Sequence, residues 1–135
     1  MTIANQATIG WSATIGLFED YGHGNAGDVE ARRRMLVDAW MESMTRTRTE
    51  TGLSISAVMG DSRVLYPHNS CPDGGEMAVT LTGSCNPEHV APAEHESFMA
   101  AVQTTVRRVQ EVMGQKTVRI EFHRIDRLVY SKLAA

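Results

Sequence analysis

Glu76-Met-Ala-Val-Thr-Leu-Thr-Gly83 alternates, with Met77, Val79 and Leu81 on one side and Ala78, Thr80 and Thr82 on the other. A period of two marks a strand with one buried face. From Phe98 to Met113 the period changes: Phe98, Val102, Val109, Val112 and Met113 recur three and four apart, as on one face of a helix. Gly114 follows as its stop signal. Thr117-Val-Arg-Ile-Glu-Phe-His123 then alternates again, Val118, Ile120 and Phe122 against Arg119, Glu121 and His123. The stretch 76–130 is therefore one strand–helix–strand unit.

The first half of the chain repeats the plan. Residues 1–11 read as a lead-in of small and polar residues, and Ser12 to Phe18 alternates as a first strand. A helix is expected over about Asp28–Thr51, with a buried stripe of Val29, Leu36, Trp40 and Met44 and a stop at Gly52. Leu53 to Met59 alternates once more, Gly60-Asp61-Ser62 reads as a turn, and Arg63 to Tyr66 as a short returning strand. Residues 67–75 form a polar loop. Beyond His123 the alternation changes phase near Arg124–Ile125, which predicts a bulge or bend.

The expected architecture is one α+β domain over 1–135, made of tandem β-α-β units at 12–66 and 76–130. Two helices cover one face of a four-stranded sheet. The other face carries Thr14, Gly16, Phe18, Ser54, Ser56, Val58, Ala78, Thr80, Thr82, Arg119, Glu121 and His123. Most of these are small or polar, so the face is either solvated or packed against copies of itself.

At 135 residues with 42% hydrophobic and 21% charged residues, the chain has the composition of a soluble domain with a sizeable core. A net charge of -3 argues against a nucleic-acid surface. No apolar run reaches membrane-spanning length and no basic leader precedes one, so a cytoplasmic protein is expected. Cys71 and Cys85 bracket the strand at 76–83. Strand geometry spaces them roughly 25 Å apart, beyond disulfide reach, so both thiols should be free.

Several motifs carry chemistry on paper. Gly22-His-Gly-Asn-Ala-Gly27 is a G-x-G-x-x-G between strand and helix. Asp28 and Glu30 repel a pyrophosphate from that helix end, and no acidic residue follows at the expected second-strand tip. A capping loop is the simpler reading. His89, Glu94, His95 and Glu96 lack metal-ligand spacing, and Pro92 interrupts them. Cys71 with His68 and Asp73 resembles a nucleophile cluster, but working partners usually come from separate elements. No cofactor or metal is expected.

The stripe Arg119, Glu121 and His123 is the candidate site. Arginine holds a carboxylate in a two-pronged contact, while Glu and His exchange protons near neutral pH. The same residues would also make a solvated edge that resists aggregation.

The tandem β-α-β order, the Thr-Gly ending of the first helix and the polar alternating last strand resemble the tautomerase superfamily, in its carboxymethyl-hydroxymuconate isomerase and macrophage-migration-inhibitory-factor types. The resemblance implies trimers with a pocket between subunits and a proton-transfer reaction, an isomerisation or a related lyase or hydrolase step, on a small carboxylate-bearing substrate. It puts Trp11 or Ser12 where that family has its amino-terminal proline base, which this chain lacks. Arg119 would then anchor the substrate, Glu121 or His123 would move the proton, and Arg63 and His68 would close over the ligand. The same element order fits a ferredoxin-like sandwich with another strand order, and with it a non-catalytic oligomeric ligand-binding or regulatory domain.

Overall fold

The computed structural model describes residues 2–19, 26–69 and 74–132. Strand β1 is Thr2–Gly16, followed by helix α1 (Ala26–Thr51), β2 (Val58–Val64), β3 (Glu76–Ser84), helix α2 (His95–Met113) and β4 (Arg119–Ser131). The sheet order is β2-β3-β1-β4 and every pairing is antiparallel. Because β3 lies between β1 and β2, the first β-α-β unit is split, which is the ferredoxin-like layout. The architecture is α+β, a four-stranded sheet with its two helices on one face.

Several local expectations are corrected. The supposed lead-in is the first half of β1, held by pairs running from Thr2↔Ser131 to Thr14↔Arg119. Its β-branched Thr2, Ile3, Thr8 and Ile9 suit that state. The second strand begins at Val58 rather than Leu53 and runs straight through the supposed turn, because Gly60, Asp61 and Ser62 pair with Thr80, Val79 and Ala78. Arg33 from α1 grips both Asp61 oxygens at 2.9 and 3.1 Å, so the polar edge residues are satisfied in place.

The register of β1 with β4 is unbroken, so there is no bulge at Arg124–Ile125. The phase changes because the apolar partner changes sides. Ile120 and Phe122 pack on the helix side, whereas Ile125 covers Gly10 on the other face, 3.2 Å from where a Cβ would stand. Finally, Phe18 lies past the end of β1 and packs on the core, and Val112 is exposed.

The core lies between sheet and helices. Trp11, Ala13, Ile15, Val79 and Leu81 from the sheet meet Leu36, Trp40, Phe98, Val102, Val106 and Val109 from the helices. Trp11 and Trp40 stack obliquely with centroids 5.7 Å apart. Between the helices, buried hydroxyls replace part of the expected apolar stripe: Thr47 and Thr105 share a hydrogen bond of 2.7 Å, and Ser43 donates to the Thr105 carbonyl at 2.9 Å. Both helices stop on left-handed glycines, Gly52 and Gly114, where a side chain would be strained.

Cys85 is a free, buried thiol, and burial pushes its pKa up. Cys71, Asp73 and all but the last two residues of Gly22–Gly27 lie outside the described residues. Among the described residues no helix is long and apolar enough to cross a membrane, and no three His, Cys, Asp or Glu side chains gather as a metal site.

Candidate active site

A cavity of about 350 Å³ opens on the helix-free face, at the end where β1 and β2 finish and β3 and β4 begin. Its floor is Thr14 and Gly16 of β1, its sides are Val64 and Glu76 from β2 and β3, and Tyr66 follows from the β2–β3 connection. The fourth wall is the turn between α2 and β4, through Gln115, Lys116 and Thr117, with Arg119 beginning the strand. The volume suits a small molecule.

Two poles of charge face each other across this space. On one side stands the Glu76 carboxyl, only 9% exposed, whose Oε2 accepts a hydrogen bond from the Tyr66 hydroxyl at 3.1 Å. Alternation puts Glu76 on the open face with Ala78, Thr80 and Thr82, and the pair Val64↔Glu76 brings the chain that carries Tyr66 alongside. On the other side are the cations Lys116 and Arg119. Such an arrangement takes a zwitterion end-on.

The α2–β4 turn is fixed from behind. Gln115 Nε2 donates to the Phe18 carbonyl at 2.8 Å, and the Gln115 amide nitrogen closes the helix end on the Gln110 carbonyl at 3.1 Å. Arg32 reaches across from α1, donating to the Leu17 carbonyl at 2.5 Å and to the Met113 carbonyl at 2.8 Å. A guanidinium there satisfies a carbonyl that the helix end leaves open and complements the negative end of its dipole. Arg32→Ala should lower unfolding stability by about 1.5–3 kcal/mol, the range for hydrogen bonds to a charged group. Urea denaturation checks this, and an unchanged midpoint would show that water replaces the clamp.

The expected site residues divide. Thr14↔Arg119, Ser12↔Glu121 and Gly10↔His123 are cross-strand neighbours, so Ser12, Arg119, Glu121 and His123 do share the open face. Arg119 lines the cavity, while Glu121 and His123 continue along β4 beyond it, 3.8 Å apart and more than half exposed. Trp11 points the other way and is buried in the core at 3% exposure. Arg63, opposite Met77, also faces the helix side, where it donates to the Gly74 carbonyl at 3.1 Å. His68 is an exposed residue of the β2–β3 connection.

Sequence reasoning passed over Glu76, Tyr66, Gln115 and Lys116. One signal was present: Glu76 is a carboxylate in phase with the small residues of its strand, at the mouth of an otherwise buried element.

A ferredoxin-like sandwich with a bipolar cavity at one sheet end defines a small-molecule-binding class of fold and site. The model of one family, SAM lyase, matches residues 6–131, and the chain belongs to that family. Two solved structures share the fold. A phage SAM lyase in complex with S-methyl-5'-thioadenosine aligns with a TM-score of 0.57 at 15% identity, over 95% of this chain and 93% of the other. A phage SAM lyase in the apo state aligns with a TM-score of 0.56 at 14% identity, over 96% and 94%. No protein of curated function is detectably similar in sequence.

Family membership overturns the tautomerase resemblance, and with it the proton-transfer isomerase reaction on a carboxylate substrate. The physical source of the error is the strand order. Tandem β-α-β units read alike along the chain whether their strands lie side by side or, as here, interleave.

Proposed function

We propose that the protein cleaves S-adenosylmethionine without using water, releasing S-methyl-5'-thioadenosine. The observation that carries this is the bipolar cavity, on a chain of the SAM lyase family. The amino-acid end of the substrate is a zwitterion, with an ammonium for Glu76 and a carboxylate for Arg119 and Lys116.

The bond to break joins the sulfonium to the methionine Cγ, and its electron pair leaves with sulfur as a neutral thioether. One balanced route has the substrate's own carboxylate attack Cγ and close a five-membered α-amino-γ-butyrolactone, with no proton moved. The other removes a Cβ proton and leaves an alkene. The second route needs a carboxylate free to take that proton, whereas Glu76 is already engaged by the Tyr66 hydroxyl and assigned to the ammonium, which supports lactone closure.

Glu76 then serves by holding charge. A carboxylate against the sulfonium would lose its partner as the transition state forms, and so would favour the ground state. Against the ammonium, whose charge does not change, it orients the chain for attack without that loss.

Incubation with S-adenosylmethionine in ¹⁸O-water and chromatography of the products tests this. Methylthioadenosine should appear with the lactone, and homoserine formed on opening should carry label in its carboxyl group alone. Label in the side-chain hydroxyl would mean hydrolysis, an unsaturated amino acid would make Glu76 a base, and no methylthioadenosine would sink the reading. Arg119→Ala should raise KM about tenfold with a smaller change in kcat, as loss of one charge-assisted contact predicts. Equal KM values would remove Arg119 from the site.

Self-association as a trimer belongs to the same reading. It is supported by the uncovered sheet face with Ser12, Glu121 and His123, and by two exposed apolar residues, Val58 at the start of β2 and Leu65 beside the cavity, at 73% and 74% exposure. Light scattering should give three chains per particle; a mass near 14.9 kDa overturns this. A cytoplasmic location accords with the free Cys85 thiol.

A further inference from the structure

Gly16 sits on the cavity floor with no side chain, and a Cβ built there would meet two oxygens at once. One is Glu76 Oε1 and the other is Gln115 Oε1, at 2.5 Å. Two acceptors thus converge over one backbone position. The Gln115 orientation is fixed from outside the cavity: Nε2 donates to the Phe18 carbonyl at 2.8 Å, so Oε1 is the atom turned inward. A nitrogen set slightly outward from the missing Cβ falls within hydrogen-bond reach of both oxygens.

We infer that Gln115 is a specificity-determining residue, the second acceptor for the substrate's α-ammonium, in a cradle that exists because position 16 is glycine. The inference rests on the proposed S-adenosylmethionine reading and deepens it. An ammonium has three N–H donors and a sulfonium has none, so a neutral amide oxygen beside a carboxylate distinguishes between them. A carboxylate alone would attract either cation. The amide oxygen adds direction, and selects molecules whose amino group is free.

Position 115 escapes a purely structural explanation. The bond to Phe18 uses the Gln115 nitrogen alone and leaves the oxygen for the cavity. Gly16 agrees with this, since alanine there would fill the space between the two oxygens while its φ needs no glycine.

The test compares two unreactive thioethers by calorimetry: S-adenosylhomocysteine and its deamino analogue, in which hydrogen replaces the ammonium. The unaltered protein should bind the first at least tenfold more tightly, the scale of a hydrogen bond to a charged group. In Gln115→Leu that margin should shrink by roughly threefold or more, with Glu76 still in place. In Gly16→Ala it should disappear.

A margin unchanged in Gln115→Leu, with both ligands weakened alike, would make the residue structural and overturn the inference. So would equal binding of the two ligands, or no binding of either, by the unaltered protein. The margin is read whether or not S-adenosylmethionine is cleaved, so failure of the lyase reading and failure of the cradle are separate results. Gln115→Leu carries the test if Gly16→Ala does not fold.

Discussion

Glu76→Gln should remain folded and cleave S-adenosylmethionine about 10²–10³-fold more slowly in kcat/KM, the scale of removing one preorganised electrostatic contact from an active site. The substitution keeps the shape and the ability to accept from Tyr66, and removes only the charge. Glu76 is 9% exposed at a site shielded by Gly16 and Gln115, so water screens it little. Loss of an oriented ammonium lets the carbon chain take conformations from which the carboxylate cannot reach Cγ, and kcat falls with KM's rise. Initial rates of methylthioadenosine release measure both. Tyr66→Phe should cost less, because the carboxylate retains its charge. A Glu76→Gln enzyme within threefold of the unaltered one would move the reaction out of this cavity.

Phe98→Ala should destabilise the fold by about 3–5 kcal/mol, the usual cost of emptying a large buried aromatic site. Phe98 is the largest fully buried side chain among the described residues, at 1% exposure, on the face of α2 that meets the sheet. Its neighbours Val102, Val106 and Val109 are β-branched and stiff at χ1, so they relax poorly into the cavity. For a domain of this size a loss of that order is a large fraction of total stability. Chemical denaturation should show it as a lower midpoint at unchanged slope. By contrast Val112→Ala, at 49% exposure on the same helix, should fall within about 0.5 kcal/mol of the unaltered protein, as for surface sites generally.

That contrast also shows how far the sequence could be read. Residues 98, 102, 109 and 113 were legible as a buried stripe because period alone decides them. Val112 was misread because it too fits a three-and-four spacing, and only the angle between helix and sheet excludes it. Thr47 and Thr105 were invisible as core residues, since buried hydroxyls need partners that spacing does not reveal: here they meet each other, and Thr105 donates to the Ala101 carbonyl. Helix ends at Gly52 and Gly114 were plain, because a left-handed stop is a property of one residue.

The site was harder for the same reason. Arg119 was placed on the open face by its phase on β4, and phase is local. Glu76 sits in the quoted strand, yet its meaning depends on Tyr66, Gln115 and Gly16, which reach it through the sheet order and the α2–β4 turn. Interleaving of the two β-α-β units is a long-range fact, and no spacing along either unit encodes it.

The pairing of β1 with β4 has a consequence for how the molecule is made. β1 is an interior strand, yet its partner along one whole edge is a segment synthesised long after it, with Thr14 matched to Arg119 and Thr2 to Ser131. While the nascent chain grows, the hydrogen-bonding groups of that edge have no native partner, and an open edge pairs with other chains. Sheet completion by so distant a segment also slows folding, since the closure entropy comes before any contact rewards it. Crowded polysomes are thus where this sheet is most exposed to mispairing. The polar, mixed character of Asn5, Gln6 and Thr8 on the waiting edge is what a sequence under that hazard needs.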